Sequence, residues 1–123
     1  MEIIDSRYRD FKFALPDVIA DNSSSSGFVI GPWSSPARDF SNLGLVMEVN
    51  GRAVETGSTA AILGDPIRSL VAAARLAAAE LGGLKAGWII LAGGATAAYS
   101  LKIGDNVRTT IQGLGAVSIR VEK

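Results

Sequence analysis

Leu45-Val46-Met47-Glu48-Val49-Asn50-Gly51-Arg52-Ala53-Val54-Glu55-Thr56 sets two β-favouring runs on either side of an Asn-Gly pair. A type I′ turn requires positive φ at both central residues, and asparagine and glycine tolerate that geometry best. The stretch therefore predicts a two-stranded hairpin in the middle of the chain. Toward the carboxyl end, residues 107–111 and 116–121 flank Gln112-Gly113-Leu114-Gly115, with Val117, Ile119 and Val121 alternating, which predicts a second pair of strands. Between the pairs, Asp65 is a suitable N-cap, Pro66 is tolerated at the first helical position, and six alanines between 72 and 79 favour helix. Ile67, Leu70, Val71, Ala74, Ala78 and Leu81 form one apolar stripe at helical spacing, expected to pack in a core, and Gly82-Gly83 closes the helix. The main helix thus runs over about 65–82.

The remaining segments read less sharply. Ile3 and Ile4 suit a short strand. Phe11, Phe13 and Leu15 alternate with Lys12 and Ala14, which is strand-like, although a helical turn fits so short a run. Ser23-Ser24-Ser25-Ser26-Gly27 is a low-complexity tract with many donors and little packing capacity, as a flexible loop would have. Phe28-Val29-Ile30 and Trp88-Ile89-Ile90-Leu91 are buried-strand candidates, residues 32–42 a loop, and 103–106 a turn. The sum is an α+β, mostly β chain, read as one domain over residues 1–123. No strand-helix unit repeats, which argues against a doubly wound nucleotide-binding sheet.

Composition excludes much chemistry. Lys and Arg total 12 against 12 Asp and Glu, so no net charge draws the chain to nucleic acid or an anionic membrane. Without histidine or cysteine there is no disulfide, no thiol nucleophile, no Ser-His-Asp triad and no Cys/His zinc site. Catalysis must rest on carboxylates, Lys, Arg, Tyr, hydroxyls, backbone amides or a hard cation held by oxygen. The absence of disulfides suits a cytoplasmic location, and neither a signal peptide nor a membrane span is visible.

No G-x-G-x-x-G or P-loop spacing occurs. Gly93-Gly94-Ala95-Thr96, after the candidate strand 88–91, offers amides and a hydroxyl that could meet a carboxylate, or simply makes a tight turn. Glu2, Asp5, Asp10, Asp17 and Asp21 lie close in sequence to Arg7, Arg9 and Lys12. Such mixed charge is ordinarily a solvated surface; alternatively one or two acids turn inward to bind a cation while a base polarises a substrate.

Several spaced stretches occur together and in order: Glu2-Ile3-Ile4-Asp5-Ser6-Arg7-Tyr8, Phe11-Lys12-Phe13, Pro16-Asp17-Val18-Ile19-Ala20-Asp21-Asn22-Ser23-Ser24, Met47-Glu48-Val49-Asn50-Gly51, residues 56–66, Leu84-Lys85-Ala86-Gly87-Trp88 and Gly113-Leu114-Gly115-Ala116-Val117-Ser118. Together they resemble the 4-oxalocrotonate decarboxylase and 2-oxopent-4-enoate hydratase group of the fumarylacetoacetate hydrolase superfamily, over essentially the whole chain. Phe11-Lys12-Phe13, Gly57-Ser58-Thr59 and Gly87-Trp88 are closer to the decarboxylase branch. The resemblance implies a mixed β-roll and a divalent cation, Mg²⁺ or Mn²⁺, that chelates a small 2-oxo dicarboxylate. It matches Glu2 to the third metal carboxylate and implies catalytic roles for Lys12 and Asp21. By the same matching Asn22, Ser23, Ser24, Gly94 and Thr96 contact substrate.

The family pairs this segment with an upstream half that carries an acid-x-acid pair of metal ligands, and no such pair occurs in the 123 residues. The resemblance is therefore to a carboxyl-terminal half, expected to be inactive or nearly so alone and to need a complementing chain or a second copy. Two other readings stand beside the decarboxylase: a hydratase of the same group, and a noncatalytic β domain that self-associates or binds a small acid.

Overall fold

A computed structural model describes residues 1–123. The chain forms two compact units, Met1–Ile30 and Gly31–Lys123. The first, below the size at which a single core holds itself together, contains a two-stranded antiparallel sheet of β1 (Glu2–Ile4) and β2 (Ser25–Phe28), with helix α1 (Leu15–Ala20) between. β1 and β2 pair Glu2 with Phe28 and Ile3 with Gly27, and the register shifts before Ile4. Half of the serine tract is thus strand instead of loop. The strand expected at Phe28-Val29-Ile30 begins earlier and stops at Phe28.

The run read as strand-like around Phe11 and Phe13 is irregular. A 3₁₀ turn covers Arg9–Phe11, and α1 then starts at Leu15, where Pro16 suits a first helical turn. The Asp17 carboxylate accepts from the Ala14 amide at 2.8 Å and satisfies one of the amides that a helix start leaves free.

The second unit is built on a four-stranded antiparallel sheet in the order β4-β3-β5-β6, from β3 (Gly44–Val49), β4 (Arg52–Ser58), β5 (Asn106–Ile111) and β6 (Gly115–Arg120). Asn50 and Gly51 have φ of 52° and 79°, the two positive angles of the expected hairpin turn. Pairing passes from Met47–Glu55 to Glu48–Ala53, so Val54 is the extra residue of a bulge. β5 aligns Val107 with Val49 on one side and Ile119 on the other, which buries Val107 to 2% exposure; Leu45 and Val49 are buried on the same face. Burying one such side chain contributes about 1.5–3 kcal/mol.

α2 (Pro66–Glu80) starts as its sequence requires, the Asp65 carboxylate accepting from the Ile67 amide at 2.8 Å. Its packing departs from the expectation. Ala77 is buried and Ser69 and Ala73 are half-buried, four residues apart on one face, whereas Ile67, Leu70, Val71 and Leu81 of the stripe are exposed. Small residues allow close approach of the backbone, so the helix rests on its small face and turns the bulky one outward. The strand expected at 88–91 does not form either. Trp88, Ile89 and Leu91 are about half exposed in a segment without strand pairing, because an apolar run becomes a strand only where a neighbour completes its ladder. The mostly-sheet architecture with one main helix stands, and every pairing in it is antiparallel. No helix is long and apolar enough to cross a membrane.

Candidate functional site

In the first unit, the sequence after α1 makes an unusual turn. Asn22, Ser23 and Ser24 take φ of 52°, 56° and 57°, three successive left-handed residues without a glycine. Such a conformation costs roughly 1 to 2 kcal/mol per residue for most side chains and is concentrated at functional sites. Asparagine tolerates it best, which suits Asn22 to open the turn.

The turn is tied down on all sides. The Ser24 amide donates to the Asp21 carbonyl at 2.9 Å, and the Asp5 amide donates to the Ser24 carbonyl at 2.8 Å. Asp21 is buried and forms an ion pair with Arg7, whose guanidinium also donates to the Asp21 carbonyl. The Arg7 amide donates to Asp21 Oδ2 at 3.1 Å, and the Ser24 hydroxyl, in a residue only 1% exposed, donates to the same oxygen at 3.3 Å. Burial raises the Asp21 pKa, but the Arg7 amide and guanidinium and the Ser24 hydroxyl outweigh it and hold the carboxyl below its usual range.

Three candidate residues, Asp21, Ser24 and Asn22, thus share one hydrogen-bonded turn, with Ser23 exposed at its centre. Glu2 lies on β1, exposed and in neither of the chain's two ion pairs. Lys12 is exposed just after the 3₁₀ turn, where its amide donates to the Arg9 carbonyl at 3.2 Å. Arg7, which sequence reasoning left among surface charges, is the group around which the turn is organised. No local signal marks it, because its partner Asp21 lies 14 residues away and only the fold joins them.

Gly94 and Thr96 belong to the second unit, in an irregular segment crossing β4. A Cβ on Gly57 would collide with the Ala95 carbonyl oxygen and meet Thr96 Cγ2 at 3.0 Å, so only glycine admits the segment there. At its other end the Ser69 hydroxyl of α2 donates to the Ala92 carbonyl at 2.6 Å.

The donor set does not fit a complete magnesium site. Mg²⁺ takes near-octahedral oxygen coordination. Asp21 is committed to Arg7, Glu2 is a single free carboxylate, and no group of three acids is assembled that could hold a metal.

Sequence and overall fold together place the chain in a known family. The sequence profile described as Fumarylacetoacetate (FAA) hydrolase C-terminal matches residues 3–122, and the chain belongs to that family. It is 67% identical over 118 residues to a 4-oxalocrotonate decarboxylase of Pseudomonas sp, covering 96% of this chain and 46% of that protein. A 2-keto-4-pentenoate hydratase of Paraburkholderia xenovorans (strain LB400) is 36% identical over 124 residues, covering 99% of this chain and 46% of the hydratase. Among solved structures, the 4-oxalocrotonate decarboxylase from Pseudomonas putida G7 complexed with magnesium and adipate superposes with a TM-score of 0.91 at 46% identity, over 98% of this chain and 46% of that one. The chain spans about half the length of the relatives it matches.

Proposed function

We propose that the chain is the carboxyl-terminal catalytic portion of a divalent-metal-dependent lyase that decarboxylates 2-oxohex-3-enedioate to 2-hydroxypenta-2,4-dienoate in aromatic meta-cleavage degradation. The observation that carries this reading is the 67% identity to a 4-oxalocrotonate decarboxylase along nearly the whole chain, against 36% to the hydratase. The chemistry suits a site without histidine. Breaking the bond to the distal carboxylate releases CO₂ and sends the electron pair through the alkene onto the 2-oxo oxygen, so the barrier falls when donors are fixed where that negative charge develops.

In this reading Glu2 supplies one carboxylate of the metal site, and the other protein ligands come from a complementing segment. Lys12 presents a cation to the dicarboxylate. In the first unit Asn22 and Ser23, exposed in the strained turn, supply donors to substrate, while Ser24, buried with its amide and hydroxyl both on Asp21, holds the turn instead of contacting substrate. In the second unit the family likeness assigns a substrate contact to Gly94 and Thr96. A cytoplasmic setting goes with it, since a chain free of cysteine needs no oxidising compartment.

The test is a graft in which this chain replaces the matching portion of the Pseudomonas putida decarboxylase, assayed with Mg²⁺ for CO₂ release from 2-oxohex-3-enedioate and for hydration of 2-hydroxypenta-2,4-dienoate. The expected result is CO₂ release by the graft and none by the 123-residue chain alone. A folded graft that hydrates the dienoate without releasing CO₂ transfers the reading to the hydratase branch. A graft that does neither favours a noncatalytic domain.

A further inference from the structure

The candidate turn is held in a conformation its residues disfavour, and one side chain makes four of the hydrogen bonds around it. Arg7 Nε donates to Asp21 Oδ1, one terminal nitrogen donates to the Asp21 carbonyl, and the other donates to the carbonyls of Asp5 at 3.1 Å and Ser25 at 3.2 Å. Asp21 and Ser25 are the residues immediately before and after the left-handed run Asn22–Ser24. A planar fork that bonds both ends of a turn fixes its width as well as its position, which a point charge on a flexible stem does not.

We infer that Arg7 is a positioning residue: through Asp21 and the Ser25 carbonyl it locks Asn22, Ser23 and Ser24 in the left-handed turn that presents the exposed donors of Asn22 and Ser23 to substrate, Ser24 being buried with its amide and hydroxyl both on Asp21. The inference rests on the assignment of Asn22 and Ser23 to the substrate site. It gives Asp21 a different part from that of an acid or base, because both its oxygens accept bonds from Arg7 and Ser24. An ordinary surface ion pair is the competing explanation. It fits poorly, since the Asp21 side chain is 5% exposed and Arg7 also serves three backbone carbonyls.

Arg7→Lys, alone and with Ser23→Gly, separates the two. Lysine keeps the charge and loses the fork, while glycine relieves the left-handed strain that the fork opposes. In the 123-residue chain, amide exchange at Ser24 and Ser25 should quicken at least tenfold in Arg7→Lys and return to within about threefold of the parent when Ser23→Gly is added, with β3–β6 unchanged throughout. In the graft, Arg7→Lys should raise KM for 2-oxohex-3-enedioate at least tenfold and leave kcat within about threefold. Unchanged exchange, no restoration by glycine, or quickened exchange with an unmoved KM each overturns the inference. Absence of turnover in the unsubstituted graft counts against the lyase reading alone, and exchange then decides whether Arg7 holds the turn.

Discussion

Asn50 and Asp105 are 55 residues apart and joined by a hydrogen bond of 2.9 Å, from the Asn50 side-chain amide to Asp105 Oδ1. The Asn50 side-chain carbonyl in turn accepts from the Asn106 amide at 2.9 Å, so the tip of the central hairpin is fastened to the start of β5. Asn50 therefore does two jobs, accepting a φ of 52° and bridging two strands. Asn50→Gly keeps the first and loses the second, whereas Asn50→Ala loses both. Alanine should be the more destabilising by about 1–2 kcal/mol, the cost of a left-handed residue with a Cβ. Urea denaturation of both variants measures the difference, and equal midpoints would show that the backbone angle contributes nothing.

The close approach of Ala95 to Gly57 gives a second expectation. Gly57→Ala places a methyl group against a carbonyl oxygen that cannot move without shifting the Gly94–Thr96 backbone. Overpacking of this kind costs about 1–3 kcal/mol. Ser69→Ala should also loosen the segment, from its other end, by removing the donor to Ala92. Amide exchange at residues 92–96 should rise in both variants, more than in β5 and β6; a uniform rise would mean global destabilisation instead.

Acid sensitivity follows from two buried carboxylates. The Lys102 amide and then the Asn50 side chain hold Asp105 below its usual range against the opposing effect of burial, and the bonds from Arg7 and Ser24 do the same for Asp21. A carboxyl depressed in the folded state contributes stability that is full above its unfolded pKa of about 3.9 and lost as pH falls through the folded value. Unfolding midpoints should be flat from neutral pH down to about 5 and fall below that. Asp105→Asn should lower the plateau and flatten the acid limb, and an unchanged limb would contradict the assignment.

Val107 and Thr109 sit two residues apart on the same face of β5, with opposite consequences. Val107→Ala removes packing from the most buried apolar side chain of the sheet and should cost about 2 kcal/mol. Thr109 Oγ1 is buried without a hydrogen-bond partner. Thr109→Val should therefore be neutral or stabilising by up to about 1 kcal/mol, since it removes an unsatisfied polar atom. Thermal unfolding of the two variants checks both signs.

What could be read in advance was what local chemistry decides. Asn50-Gly51 defined its hairpin, and Asp65-Pro66 with Gly82-Gly83 bounded α2, because turn angles and helix caps depend on a few adjacent residues. What misled depends on distant neighbours. Ile67, Leu70 and Val71 have helical spacing, but spacing says only that one face is apolar, and the fold rests α2 on Ser69, Ala73 and Ala77. Trp88-Ile89-Ile90-Leu91 has strand composition and no pairing partner. The Asn22–Ser24 turn was hidden inside a serine run that composition reads as loop, and its conformation is imposed by Arg7, far off in sequence.

That the metal site is incomplete in this chain is tested most directly by titration calorimetry of Mg²⁺ binding to the 123-residue chain and to the graft. The graft should bind one Mg²⁺, weakened at least tenfold by Glu2→Gln, and the chain alone should show no stoichiometric binding, because Glu2 is a lone ligand while Asp21 is held by Arg7. Tight one-to-one Mg²⁺ binding by the isolated chain would contradict it.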